Sequence, residues 1–222
     1  VGTATVISFI LGTLIGALVG WRRGSVLDNI LPVTTFFQAI PYFFLATVLL
    51  YLFAEKSHSF PNADSNSYDT NNCVIGWNPG FVGSAVSHAF LPALTIVLAS
   101  VAGWIVGMRN MMVTTMDEDY VLVAQAKGLP KSRVIYYAAR NAVLPSISSF
   151  ANALSFVVAG SLLTELVYSY QGIGSLLLSA VQSEDYPLSQ GIFLIITFAV
   201  LAANLIADTV YVLLDPRTRQ EA

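Results

Sequence analysis

Five long apolar runs decide most of what this chain can fold into. Residues 1–20, 30–53, 89–108, 146–164 and 191–214 are almost free of charge and make up close to half of the 222 residues. A bilayer core about 30 Å thick is crossed by roughly 20 mostly apolar residues in a helix. The runs are continuous, whereas barrel strands would alternate apolar and polar over about 10 residues. Only 10% of the chain is charged, against about 25% in a soluble domain, and 55% is hydrophobic. The mean hydropathy is +0.69. These features predict an all-α integral membrane protein with five transmembrane helices. The fifth run includes Asp208, which costs up to about 3 kcal/mol at mid-membrane. Its Ile, Leu, Val and Phe residues return roughly 4 to 8 kcal/mol, so the run still inserts.

The same composition excludes several classes. Cys73 is the single cysteine, so no internal disulfide forms, and with two histidines a metal cluster is not expected. A net charge of −3 argues against a nucleic-acid surface. His58 and His88 share one polar stretch and read as surface histidines.

Basic residues set the orientation. All the Lys and Arg except Lys56 fall after the first run, between the third and fourth, or after the fifth. The positive side faces the cytoplasm, which places the C-terminus inside and Val1 outside in the cell (plasma or inner) membrane. The chain opens without Met on an apolar run with no basic residue before it. A truncated chain that has lost at least one upstream span is therefore expected.

Residues 54–88 read as an external loop, with turn signals at Phe60-Pro61 and Asn78-Pro79-Gly80. Pro32, Pro41 and Pro92 predict kinks or breaks in the helices that carry them. Gly12, Gly16 and Gly20 form a stripe at every fourth residue that allows close helix approach.

The most informative segment is the cytoplasmic loop 109–145. Asp117-Glu118-Asp119 opens a helix at its positive dipole end, and Lys127 sits near the other end. Gly128 suits a left-handed cap, and Pro130 stops continuation. A second helix starts near Lys131-Ser132 and runs to Asn141 before Pro145, giving a bent helical hairpin. Val121, Ala124 and Gly128 fall at i, i+3 and i+7, a small-residue stripe expected to receive a partner's surface.

With Ala124-x-x-x-Gly128 followed by Ala139-Arg140-Asn141-Ala142-Val143-Leu144-Pro145, the loop resembles that of permeases of binding-protein-dependent ABC importers. The resemblance is to the dipeptide, oligopeptide and nickel branch. It extends through Trp21-Arg22-Arg23-Gly24-Ser25, Leu91-Pro92-Ala93-Leu94, Leu163-Thr164-Glu165, Gly172-Ile173-Gly174, Asp185-Tyr186-Pro187 and Leu213-Leu214-Asp215-Pro216-Arg217. The family's loop motif reads Glu-Ala-Ala-x-x-x-Gly, where this chain has Leu122-Val123-Ala124 ahead of Gly128.

The resemblance implies a single ABC-importer transmembrane domain over 1–222, with six spans in the full-length protein. Its partners would be a second homologous permease, cytoplasmic ATP-binding subunits, an external solute-binding protein and membrane lipid. The cargo would be short peptides, with oligosaccharides or nickel as alternatives. Val121, Ala124, Gln125, Lys127, Gly128, Leu129, Arg140, Asn141 and Pro145 would couple to the ATPases. ATP and magnesium would sit on those subunits, and this chain would bind no cofactor. It has no Walker A pattern; Lys127-Gly128-Leu129-Pro130-Lys131-Ser132 only superficially suggests one.

Two acids stand out among the remaining polar residues. Asp208 reads as a buried structural pair, with a substrate or proton role as the alternative. Glu165 reads as lining the outer end of the pathway or as a hydrated interfacial residue. Gly172-Ile173-Gly174 reads as a turn in an outer loop. No Ser/His, paired-carboxylate or metal constellation suggests an intramembrane enzyme. A channel or structural bundle, the other class, would not need a capped cytoplasmic hairpin.

Overall fold

The computed structural model describes residues 1–22, 24, 30–61 and 77–214. Asp215, Arg217, Arg219, Arg23 and Cys73 lie outside the described residues. Among those described, every regular element is a helix: α1 (Gly2–Trp21), α2 (Ile30–Ala39), α3 (Tyr42–Leu49), α4 (Pro79–Met116), α5 (Asp119–Ala126), α6 (Lys131–Ala142), α7 (Leu144–Val167), α8 (Ile173–Gln182) and α9 (Tyr186–Leu214). α3 continues as wider π-helical turns over Leu50–Lys56.

The five apolar runs become α1, the α2–α3 pair, α4, α7 and α9. Among the described residues, α1, α4 and α9 are long and apolar enough to cross a membrane, and the α2–α3 pair makes a fourth if taken as one span. That pair bends by 98° between Leu31–Ala39 and Tyr42–Lys56. The break falls at Pro41, which caps α3 with extended backbone (φ −57°, ψ 140°). Proline supplies no N–H and pushes the residue before it out of the helical region. The kink expected at Pro32 does not arise there, because Pro32 sits in the first turn of α2, where no N–H is missed. Pro92 lies inside α4, which continues through it.

α4 has 38 residues and is longer at both ends than the apolar pattern indicated. Asn78 caps it, its Oδ1 accepting from Phe81 N at 2.7 Å, with Pro79 at the first helical position. The expected turn at Asn78-Pro79-Gly80 is thus a helix start, and residues 79–88, expected in a loop, belong to α4. At the other end Met112 and Met116 extend the seam packed against the hairpin, so α4 carries Arg109 and ends at Met116.

α1 lies along α4 on the glycine stripe. A Cβ on Gly16 would come within 2.5 Å of Ile105 O and 2.8 Å of Met108 Cβ. One on Gly20 would come within 2.7 Å of Met112 Cβ. Ser100 Oγ donates to Ser8 Oγ at 2.8 Å on the same seam. Among the described residues, three groups of buried side chains stand out. Met108, Met112, Val121, Ala124, Val134, Ala138 and Ala142 join the hairpin to α4. Leu45, Leu49 and Ala99 join α3 to α4. Ala46, Ala54, Leu91 and Tyr168 lie farther along. The outward faces stay apolar: on α9, Phe198 is 64% and Leu205 68% exposed.

Candidate functional site

The α5–α6 hairpin forms as the local sequence dictates. Glu118 occupies the N-cap of α5 in extended backbone, and Asp119 stands in its first turn. The helix ends in a Schellman cap: Leu129 N donates to Ala124 O at 3.3 Å and Gly128 N to Gln125 O at 2.9 Å, with Gly128 at φ +70°. A Cβ at Gly128 would meet nothing within 4 Å, so glycine is required there by backbone conformation and not by crowding. Pro130 then opens α6.

Two of the three stripe residues, Val121 and Ala124, face inward, against the sequence expectation. Val121 is fully buried and Ala124 is 7% exposed, both packed with Val134, Ala138 and the end of α4. Val121 and Ala124 belong to the hairpin's own core, where α6 fills the room beside them, while Gly128 stays exposed. What α5 offers outward is Tyr120, Leu122, Val123, Gln125, Ala126 and Lys127. Leu122 and Val123 are each about half exposed, at 52% and 50%. Leu129 is partly buried, packed against the core cluster beside Trp21 and Met116. Arg140 and Asn141 are exposed on α6, with Asn141 Nδ2 donating to Tyr137 O at 3.3 Å, and Pro145 is exposed at the start of α7.

Glu165 is 8% exposed and stands over the N-terminus of α8, where its Oε2 accepts from Ser175 N at 2.9 Å. A carboxylate there meets unpaired helix N–H groups and the positive end of the dipole. Gly172 and Gly174 make space for it: a Cβ on Gly174 would lie 2.9 Å from both Glu165 Oε2 and Leu162 Cα. The expected outer turn at Gly172-Ile173-Gly174 is therefore the start of a helix that Glu165 caps. Asp208, expected to be buried, is exposed on α9. Leu205 and Ile206, just before it, are exposed as well.

One polar group escaped the sequence reading. Tyr168, at the end of α7, is 8% exposed; its hydroxyl lies 2.9 Å from Thr95 Oγ1 of α4 and donates to Ala46 O of α3 at 3.2 Å. Each hydroxyl has one hydrogen. Thr95 therefore donates to Tyr168 while Tyr168 donates to Ala46 O, a relay joining three helices. Alternatively Thr95 turns to Leu91 O, 2.9 Å away. Because Thr95 has that second acceptor, Tyr168→Phe is expected to cost only about 0.5–1.5 kcal/mol. Thr95→Val should cost a similar amount, and the double variant less than the sum of the two. Melting curves of the four proteins in one detergent give the coupling; strict additivity would mean the relay carries no energy.

Among the described residues no group of three or more His, Cys, Asp or Glu could hold a metal ion. His88 Nδ1 lies 2.8 Å from Ser84 O of its own helix, a local contact.

The family described as binding-protein-dependent transport system inner membrane component matches residues 12–220. Relatives include a protein named di/tripeptide transport system permease protein DppB from Pseudomonas aeruginosa, 32% identical over 95% of this chain and 66% of its own length. The dipeptide transport system permease protein DppB of Escherichia coli K12 is 30% identical over 98% of this chain and 69% of its own. The probable peptide ABC transporter permease protein y4tP of Sinorhizobium fredii is 29% identical over 96% of this chain and 66% of its own. The chain thus spans about two thirds of the length of these relatives. A match that runs through the glycine stripe, the hairpin and the α7–α9 region places the chain in the binding-protein-dependent transport system inner membrane component family.

Proposed function

We infer that this chain is the permease subunit of an ATP-driven importer of short peptides. The observation that carries the reading is the family match across the whole helical bundle, with relatives whose names specify di-, tri- and oligopeptide transport. Those names favour peptides over oligosaccharides or nickel. In this reading five segments span the membrane, α7 included, and the hairpin and the C-terminus are cytoplasmic. A second permease completes the pathway, an external binding protein delivers the peptide, and ATP with magnesium stays on separate ATPase subunits.

The hairpin supports coupling by its build. α5 is held on α4 by Val121 and Ala124, its end is fixed by the Gly128 cap, and its outer face presents Leu122 and Val123 beside Gln125 and Lys127. An ATPase cleft would close on that face. Gly128, Leu129, Val121 and Ala124 would act by positioning it, and Arg140, Asn141 and Pro145 would set the angle at which the hairpin meets α7.

The test is purification of the full-length protein from its native membranes with whatever accompanies it. Recovery of an ATPase with the parent protein and its loss from Leu122→Asp/Val123→Asp, with membrane insertion unchanged, is the expected result. Uptake of a labelled dipeptide should fall in parallel. Full uptake by the double aspartate variant would remove α5 from the coupling role.

A further inference from the structure

The outward face of α6 differs from the rest of the hairpin. Val134, Ala138 and Ala142 are buried on one side of the helix. Arg133, Tyr136, Tyr137 and Arg140 recur at i, i+3, i+4 and i+7 on the other, all exposed. Tyr136 is 62% and Tyr137 42% exposed, their ring centroids 6.2 Å apart. Two uncovered tyrosines bracketed by guanidinium groups gain little in water. At a bilayer surface each part has a place: the phenol straddles the headgroup layer and the arginine reaches phosphate.

Charge and depth favour the same occupant. No Asp or Glu occurs between Asp119 and Glu165, while Lys127, Lys131, Arg133 and Arg140 all fall in that stretch of a chain whose net charge is −3. α6 passes into α7 through the single residue Val143. Trp21, the last residue of the apolar α1, lines a cleft of about 360 Å³ together with Lys131 and Val134 of α6. The Arg22 guanidinium stands 5.6 Å from the Trp21 ring centroid. Tryptophan followed by arginine marks the level where a helix leaves hydrocarbon, so the first turn of α6, which shares the cleft, lies near that level. The exposed face of α5 is different in kind: three acids stand at its start, and Leu122 and Val123 on its flank suit a protein partner and not phosphate.

We propose that Arg133, Tyr136, Tyr137 and Arg140 form a docking surface for anionic phospholipid headgroups, which holds α6 on the bilayer surface as the support beneath α5. Each guanidinium offers paired donors that match phosphate oxygens, and the tyrosines fill the glycerol level between them.

The test is native mass spectrometry of the full-length protein released from micelles doped with equal amounts of phosphatidylglycerol and phosphatidylcholine. The parent protein should retain phosphatidylglycerol in preference. Arg133→Gln or Arg140→Gln should each lower that preference about fivefold, and the pair should remove it. Arg133→Lys/Arg140→Lys should keep most of it. Equal retention of both lipids by the parent, or an unchanged preference in the double glutamine variant, would overturn the proposal. So would loss of a co-purifying ATPase from that variant with its lipid preference intact, since the face would then belong to a protein. If the variants fail to fold, the parent alone decides. Slower amide exchange over residues 131–142 in phosphatidylglycerol than in phosphatidylcholine nanodiscs supports the surface, and equal exchange overturns it.

Discussion

Gly16→Leu is expected to prevent the bundle from assembling, and Gly16→Ala to weaken it by about 1–3 kcal/mol, the usual cost of overpacking a tight seam. The single methyl of alanine would arrive 2.5 Å from Ile105 O and 2.8 Å from Met108 Cβ, and a carbonyl inside a helix cannot step aside. α1 would have to move off α4, loosening the Ser8–Ser100 hydrogen bond on the same seam. Gly107→Ala is the matched control. It lies on α4 itself, a Cβ there would meet nothing within 4 Å, and alanine is the better helix former, so no loss is expected. Melting of the full-length proteins in one detergent compares them. Equal melting of Gly16→Ala and the parent would show that α1 and α4 do not meet through these glycines.

Glu165→Leu is expected to be nearly as damaging, at about 1–3 kcal/mol, because it leaves Ser175 N–H facing a buried apolar side chain. Glu165→Gln keeps an acceptor oxygen and gives up only the charge at the helix terminus, about 0.3–1 kcal/mol. The ordering is the diagnostic part. Amide exchange within Ile173–Gln182 should speed up strongly in the leucine variant and slightly in the glutamine variant. Were Glu165 simply facing a hydrated pathway, the two substitutions would leave α8 alike and unchanged.

What could be read from the sequence were the features whose cause is local. Apolar runs become helices because the bilayer leaves backbone groups no other partners. Pro41 breaks its run and Gly128 ends α5, each through its own backbone restrictions. The stripe at Gly12, Gly16 and Gly20 signalled close approach, although not which helix would approach. What escaped depended on residues far apart in the chain. Thr95 and Tyr168 are 73 positions apart, and Tyr168 and Ala46 are 122 apart. The Val121–Ala124 stripe was visible, but only the fold of α6 back onto α5 decides whether it meets a partner or the chain's own core. α8 has 10 residues, too few to announce itself as a span, so Glu165 had no visible helix to cap. Asp208 is exposed on α9 of this chain, where its place inside an apolar run pointed to shelter.

α4 also has unequal arms. Pro92 lacks the N–H that would tie its turn to the one before, which makes it the natural pivot of the helix. The arm from Pro92 to Met116 is roughly 36 Å long, and α1 is fastened along it by the glycines. Thr95 lies only about 4.5 Å from the pivot. A tilt of about 10° would carry the hairpin end about 6 Å but Thr95 less than about 1 Å, from the same rise per residue. On that geometry Thr95 sits close to the fulcrum, so its contact with the Tyr168 hydroxyl would stay nearly in place while the far end of α4 swings.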